Sequence, residues 1–248
     1  VLPLLSLRSP LALFGDHCQL PPVCEADEND AESRAYWWKS ALFLEEAWQR
    51  PLDFSGIHRC LEPPFKQLVR TAIKESFRFG DALAKVLDEF IYHVGLRGRV
   101  DIGTEIFRIE VSVERPAHDQ GRVNRSEARA VVELLQQIAR PDMDDTIVVL
   151  TPYKNQAKCI RSLLRQQGKA LSEIEVLNTH KAQGREWDTV VFSAVDGSLP
   201  SCRPYFTNSS LVVGRAVINT TLSRVRNRLY LVVEKGYWTS KQDQLLGR

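Results

Sequence analysis

The sequence predicts an α/β protein built on an open, mainly parallel sheet with helices on both faces. Two observations carry that expectation. From about residue 98 onward, strand-like and helix-like segments alternate, which is the order that parallel βαβ units require. Strands such as Ile147-Val148-Val149-Leu150 are apolar without interruption, so both of their faces must be covered.

The elements follow in chain order. Residues 11–14 are apolar and closed by Gly15-Asp16, which reads as the end of a buried strand running into a loop. The loop passes Pro21-Pro22 and enters residues 25–32, a solvated stretch of five carboxylates with no base. Over 31–49, Trp37, Ala41, Leu44, Ala47 and Trp48 recur at helical spacing, and Pro51 stops the pattern. The Trp37-Trp38 pair there reads as packing. A second helix is expected over 81–92, where Ala82, Leu83, Val86, Leu87, Phe90 and Ile91 share a face. A strand at 107–113, a helix at 126–138, a strand at 146–150 and a helix at 155–167 come next. Strands at 176–178 and 189–195 follow. A loop over 196–214 leads to a helix at 216–225 and a final strand at 228–233.

Composition narrows the function classes. The 248 residues are 44% hydrophobic and 26% charged, with 33 basic against 31 acidic side chains and a net charge of +2, an ordinary globular balance. No run approaches the roughly 18 apolar residues that a membrane span needs. Val1-Leu2-Pro3-Leu4-Leu5 lacks the basic flank and cleavage site of a signal peptide. Membrane and secreted classes are set aside, and a cytoplasmic or nuclear location is expected. Five scattered cysteines without a CxxC pair read as thiols in a reducing compartment. His17-Cys18 has no further ligand at metal spacing, so no metal site is expected. The chain opens at Val1 and its one methionine is Met143, so it reads as a piece of something longer. Arginine outnumbers lysine by 23 to 10, which favours planar, bidentate contacts.

In an open parallel sheet, ligands bind at the carboxyl ends of the strands, and four polar clusters are expected there. They are Gly15 to Pro22, Thr151-Pro152-Tyr153, Thr179 to Glu186, and Asn219 to Arg228. Between Gly197 and Val233 there are five arginines and no acid, a local basic patch suited to a triphosphate or a nucleic-acid backbone.

These clusters resemble the motifs of superfamily 1 helicases, in the family's order. Gly15 to Pro22 is similar to motif III and Ser76-Phe77-Arg78 to motif IV. Thr151-Pro152-Tyr153 with Asn155-Gln156 resembles the block after it. Thr179 to Asp188 followed by Val190-Val191-Phe192-Ser193 resembles motif V, and Asn219 to Arg224 resembles motif VI. Asn124-Arg125-Ser126-Glu127-Ala128 is similar to a segment of the branch that holds the nonsense-mediated-decay RNA helicases and their DNA-acting relatives.

The resemblance implies a RecA-like, P-loop NTPase-type second motor domain. Residues 1–60 would be the tail of a first RecA-like domain with motif III and a connecting helix, and 61–248 the second RecA-like domain. It also implies residue roles that suit phosphoryl transfer, where positive charge must be positioned at the γ-phosphate. Arg224 matches the arginine finger, Arg78 a second γ-phosphate arginine, and Gln19 the γ-phosphate sensor. Gly15 and Asp16 belong to the same nucleotide-facing block. Glu186 matches a carboxylate near the ribose and phosphates, with Gly184 allowing close backbone approach. Phe77 stands where an aromatic residue stacks on the base, although tyrosine is commoner there. Thr151, Tyr153, Thr179 and His180 match positions facing a nucleic-acid backbone. Arg226 and Arg228 read as solvated surface arginines. Arg215 lies further from Asn219 than the family's arginine before motif VI, and the stretch around Pro63-Pro64 is longer than expected.

Such a helicase also needs a G-x-x-x-x-G-K-[ST] loop and an acidic Mg²⁺ motif, and neither occurs in these 248 residues. Gly168-Lys169 is followed by Ala170, and Asp88-Glu89 reads as a solvated helix face. Both motifs precede motif III in the family. ATP and Mg²⁺ are therefore expected to be held mainly by a first RecA-like domain of the same chain, with single-stranded DNA or RNA as the other partner. The fragment alone is expected to be inactive. A non-catalytic scaffold is the competing reading, and the joint presence of Gln19, Arg78, Glu186 and Arg224 favours the enzyme.

Overall fold

The computed structural model describes residues 15–16, 18–20, 73–101, 103–113, 121–139, 145–198 and 202–248. The strand expected at 11–14, the helix at 31–49 and the Pro63-Pro64 stretch lie outside them. The chain divides into two compact units, residues 1–17 with 21–72, and residues 18–20 with 73–248. Gly15 and Asp16 belong to the first unit, and all the elements below belong to the second.

Among the described residues the main sheet has five parallel strands. In chain order they are β3 (Glu105–Val111), β4 (Ile147–Thr151), β5 (Glu175–Asn178), β6 (Trp187–Ser193) and β7 (Val225–Glu234). Their spatial order is β3-β7-β6-β4-β5. Side chains alternate across a strand, and here the alternation sorts residues into two cores. Val148, Leu150, Val190, Phe192, Leu229 and Leu231 face one side, and Val149, Val191 and Val232 face the other. The first face is covered by Leu83 and Leu87 of α1 (Asp81–Leu87) and by Ile218 and Leu222 of α5 (Val212–Leu222). The second is covered by Val131 and Leu135 of α2 (Arg125–Ile138) and by Ile160 and Leu164 of α3 (Lys154–Arg165). The open parallel sheet with helices on both faces is thus the fold observed. Each such aliphatic side chain, fully buried, contributes about 1.5–3 kcal/mol.

Local chemistry sets the helix ends. Asn124 caps α2 by accepting the Glu127 amide at 3.1 Å, satisfying one of the donors that a first turn leaves open. After α1 the chain widens into a π-turn over Asp88–Tyr92 and leaves it at His93 with φ 52°. The Asp88 carboxylate then accepts the amides of Val94, Gly95 and Leu96 at 2.9, 3.2 and 2.9 Å. Asp88 is therefore a loop-fixing residue and not a solvated helix face.

Several boundaries differ from expectation. A separate two-stranded parallel sheet, β1 (Glu75–Gly80) with β2 (Arg97–Arg99), stands apart from the main one. A Cβ on Gly98 would lie 2.2 Å from the Gly80 carbonyl carbon, so only glycine permits this close approach. A short helix, α4 (Lys169–Ser172), precedes β5. The last helix ends at Leu222 and not at 225, because Val225 is fully buried and enters the sheet opposite Trp187.

Candidate functional site

The sequence-predicted residues fall at two opposite edges of the sheet. Glu186 immediately precedes β6 and Arg226 is the second residue of β7, so this group lies at the amino ends of the strands. Thr151 closes β4 and Thr179 follows β5, so that group lies at the carboxyl ends. The expectation that every cluster sits at carboxyl ends is corrected on this point. Residues 179–186 run from the carboxyl end of β5 to the amino end of β6 and join both.

At the amino edge, Ile73, Ser76, Phe77, Arg78, Glu186, Arg226 and Asn227 line a cleft of about 730 Å³. Phe77 presents its ring to solvent at 67% exposure while Phe79, two residues on, is buried in the core, because β1 enters the core towards its carboxyl end. Arg78 Nε donates to Glu186 Oε2 at 2.5 Å, and its guanidinium also donates to the Ser223 carbonyl at 2.9 Å. Arg226 pairs with the other oxygen of Glu186 and lies 3.6 Å from Asp188. Hydrogen bonds from Arg226 and then Arg78 hold the Glu186 carboxyl below the usual range. Burial works to raise Asp188, but hydrogen bonds from Thr146 and the Arg226 charge outweigh it. The cleft therefore offers two guanidinium groups that share one carboxylate, beside an exposed aromatic face.

Arg224 stands next to this cleft and is 4% exposed. Its Nε donates to the Thr220 carbonyl at 2.9 Å, one terminal nitrogen donates to the Arg185 carbonyl at 3.4 Å, and the other donates to Gln19 Oε1 at 2.5 Å. Residues 18–20 are tied to the same place. The Leu20 amide donates to Thr220 Oγ1 at 2.8 Å, Gln183 Nε2 donates to the Leu20 carbonyl at 2.5 Å, and Asn219 Nδ2 donates to the Cys18 carbonyl at 3.0 Å. Gly184 is exposed with φ +75°, and a Cβ added there would meet nothing within 4 Å. The left-handed backbone, and not close approach, is what requires glycine there. In the first unit, Gly15 is exposed and Asp16 half-buried.

At the carboxyl edge, Thr151, Tyr153 and Thr179 are buried and His180 is exposed. Thr179 Oγ1 lies 3.0 Å from Thr221 Oγ1. Partial burial, and then the charge of Lys154, hold the His180 imidazole below its ordinary range. The Tyr153 hydroxyl donates to the Asp196 carboxylate at 2.7 Å. That carboxylate also receives Arg122 at 2.7 Å and the Thr207 hydroxyl at 2.7 Å. Beneath it, the fully buried Glu127 carboxylate accepts Ser193 Oγ at 2.7 Å and the Val195 amide at 2.9 Å. Burial pushes Glu127 up to about 8. Val195, between the two acids, has φ 67°.

Sequence reasoning missed Arg226 as a cleft residue and the Glu127–Asp196 cluster altogether. The alternation of Arg224, Arg226 and Arg228 around a strand start was the available signal for Arg226. Among the described residues, no group of three His, Cys, Asp or Glu could hold a metal ion. No helix among them is long and apolar enough to cross a membrane.

Residues 100–236 match the AAA domain family, over the sheet that carries both edges. The chain belongs to the AAA domain family. This AAA domain is 29% identical over 251 aligned positions to the DNA replication ATP-dependent helicase/nuclease JHS1 of Arabidopsis thaliana. That alignment covers 92% of the chain and 17% of the relative, so the chain spans about a sixth of the length of the protein it matches. Among solved structures, the C-terminal domain of a possible DNA helicase from Lactobacillus plantarum WCFS1 has 14% identity and a TM-score of 0.40, covering 64% of this AAA domain's chain and 88% of the other. The PRRSV helicase has 15% identity and a TM-score of 0.33, covering 65% and 23%.

Proposed function

We propose that this AAA domain is the second motor half of an ATP-dependent superfamily 1 helicase or translocase acting on single-stranded nucleic acid. The observation that carries the reading is the convergence of Phe77, Arg78 and Glu186 on one cleft, with Arg78 bonded to the carbonyl of Ser223, the residue before Arg224. Residues far apart in sequence, matched to one site by motif order, meet in space. Residues 1–60 would then be the tail of a first RecA-like domain. The family's nonsense-mediated-decay branch remains part of this reading through Asn124 to Ala128. An intracellular location, cytoplasmic or nuclear, goes with it.

The residues present suit a nucleoside triphosphate. When bound, ATP with Mg²⁺ supplies the γ-phosphoryl group whose transfer to water drives such motors. Phe77 offers a stacking face for a base, and Arg78 and Arg226 offer donors held at the rim by Glu186. Arg224 is positioned by two carbonyls and Gln19 before any anion arrives, so its placement needs little reorganisation. At the other edge His180 is the exposed contact for a strand. Thr151, Tyr153 and Thr179 would shape that surface from beneath unless the edge opens.

One observation favours a non-catalytic scaffold: Arg78 and Arg226 are both already paired with Glu186. The two readings separate in the full-length protein. Arg224→Ala is expected to lower ATP turnover by about 10³-fold or more, the usual contribution of an arginine finger, and this chain by itself is expected to show no strand-stimulated hydrolysis. Unchanged turnover in Arg224→Ala would overturn the motor reading.

A further inference from the structure

Helix α3 carries Lys154, Lys158, Arg161 and Arg165, all exposed. Their spacing of four, three and four residues aligns them along one side of the helix. The buried side is conventional core, made by Ala157, Ile160 and Leu164. From Lys154 to Ser172 the chain contains no acid. Among the described residues none of the four cations has an acidic partner within ion-pair distance. Arg78, Arg99, Arg122, Arg185, Arg226 and Arg228 each have one. Like charges one turn apart repel, so the stripe contributes nothing to folding that a mixed face would not do better.

The position of the stripe gives it a use. Thr151 and Asn178 are paired across β4 and β5, and Lys154 and His180 follow them by three and two residues, so the stripe begins at the same end of the sheet as the exposed His180. It then follows the helix for about 16 Å, at roughly one cation per 5.4 Å turn. A cleft of about 460 Å³ runs beside it, where Asn155, Ser162 and Gln166 add amide and hydroxyl groups next to Lys158. Cations with neutral donors suit phosphate oxygens, and without an aromatic platform they offer bases nothing to stack on.

We propose that α3 is an auxiliary phosphate track, along which a nucleic-acid backbone leaving the strand site at His180 continues over Lys154, Lys158, Arg161 and Arg165. The inference rests on the helicase reading and adds a surface to it outside the motifs. The track takes DNA or RNA alike, because both present the same phosphates.

The test uses the full-length protein and the triple variant Lys158→Glu, Arg161→Glu, Arg165→Glu. All three side chains are exposed, and circular dichroism and melting confirm folding. Binding is measured by fluorescence anisotropy across a salt series, with a short oligonucleotide that fills only the strand site and a longer one that overhangs it. For the long strand the variant is expected to lose about tenfold or more in affinity at low salt. Its log–log salt slope should become shallower by about 2, as three lost phosphate contacts on a single strand require. Short-strand binding and ATP turnover with the short strand should stay at wild-type values. Equal loss for both lengths, or undiminished long-strand binding of the kind a protein-docking face would give, overturns the track and leaves the helicase reading standing. Failure of the wild type to bind any strand removes both.

Discussion

The Arg224 guanidinium donates to the Gln19 side-chain oxygen at 2.5 Å across 205 positions of sequence. Gln19 is thus held by a side chain that two backbone carbonyls already fix. Gln19→Ala removes one hydrogen bond of several, so stability should change by no more than about 1.5 kcal/mol. On the proposed helicase reading, strand-stimulated turnover of the full-length protein should fall by about 10², the scale of misplacing a catalytic group. Steady-state ATPase with and without strand measures it, and wild-type stimulation in the variant would sink the coupling role.

Phe77 is 67% exposed, so Phe77→Ala should leave the melting temperature in place. If the ring stacks on a base, the full-length variant should show a KM for ATP raised by about tenfold, within the roughly 1–3 kcal/mol of base–aromatic stacking, and an unchanged kcat. Phe77→Tyr should behave as wild type. A KM that ignores the loss of the ring assigns Phe77 to something other than nucleotide.

Glu127 ties stability to pH. Its carboxyl is raised from 4.5 to about 8 by burial, against the opposing hydrogen bonds from Ser193 and Val195. Folded chains therefore hold a proton that unfolded chains release above about pH 4.5, and stability should fall as pH rises from there through about 8. Asp196, also raised by burial, adds a slope of the same sign. Glu127→Gln should flatten the decline without abolishing it. Urea unfolding at a series of pH values checks this, and an unaltered slope in the variant refutes the assignment.

Val195 has φ 67° and is 1% exposed. A β-branched residue in the left-handed region is strained by about 1–2 kcal/mol, and the Glu127 bond to its amide helps to hold it there. Replacing it with glycine or alanine removes the same packing to within a methyl group, but only glycine is at ease in that backbone. The strain that glycine avoids, about 1–2 kcal/mol, exceeds the roughly 0.8 kcal/mol of one more buried methyl, so Val195→Gly should be at least as stable as Val195→Ala, reversing the order found at ordinary positions. Denaturation of both variants decides it.

What could be read in the sequence follows from what each element asks of its side chains. Strands β4, β6 and β7 are covered on both faces, and that demand appears directly as runs such as Ile147 to Leu150 and Val190 to Phe192. β1 and β2 make no such demand, because Arg97-Gly98-Arg99 is placed by backbone bonds and by the missing Cβ of Gly98. Arg78 and Glu186 were legible through motif order, but their pairing was not, since 108 positions separate them. The Asp196 cluster draws on Arg122, Tyr153 and Thr207, and no periodicity connects positions that converge only after folding. Glu127 had a local signal in the Asn-x-x-Glu spacing that caps α2.

Strand β7 sits between β3 and β6, pairing Arg228 with both Glu105 and Thr189. Until it is in place β3 has no neighbour among the described strands of the sheet, although more than a hundred residues of chain have followed it. During synthesis from the amino end, β4, β5 and β6 can assemble first, while β3 waits for a partner made more than a hundred residues later. Such long-range pairing slows folding, and the waiting edge carries Ile106 and Phe107, both partly exposed even in the finished fold. A nascent chain halted before residue 225 would present an unpaired apolar strand, the kind of intermediate that chaperones retain.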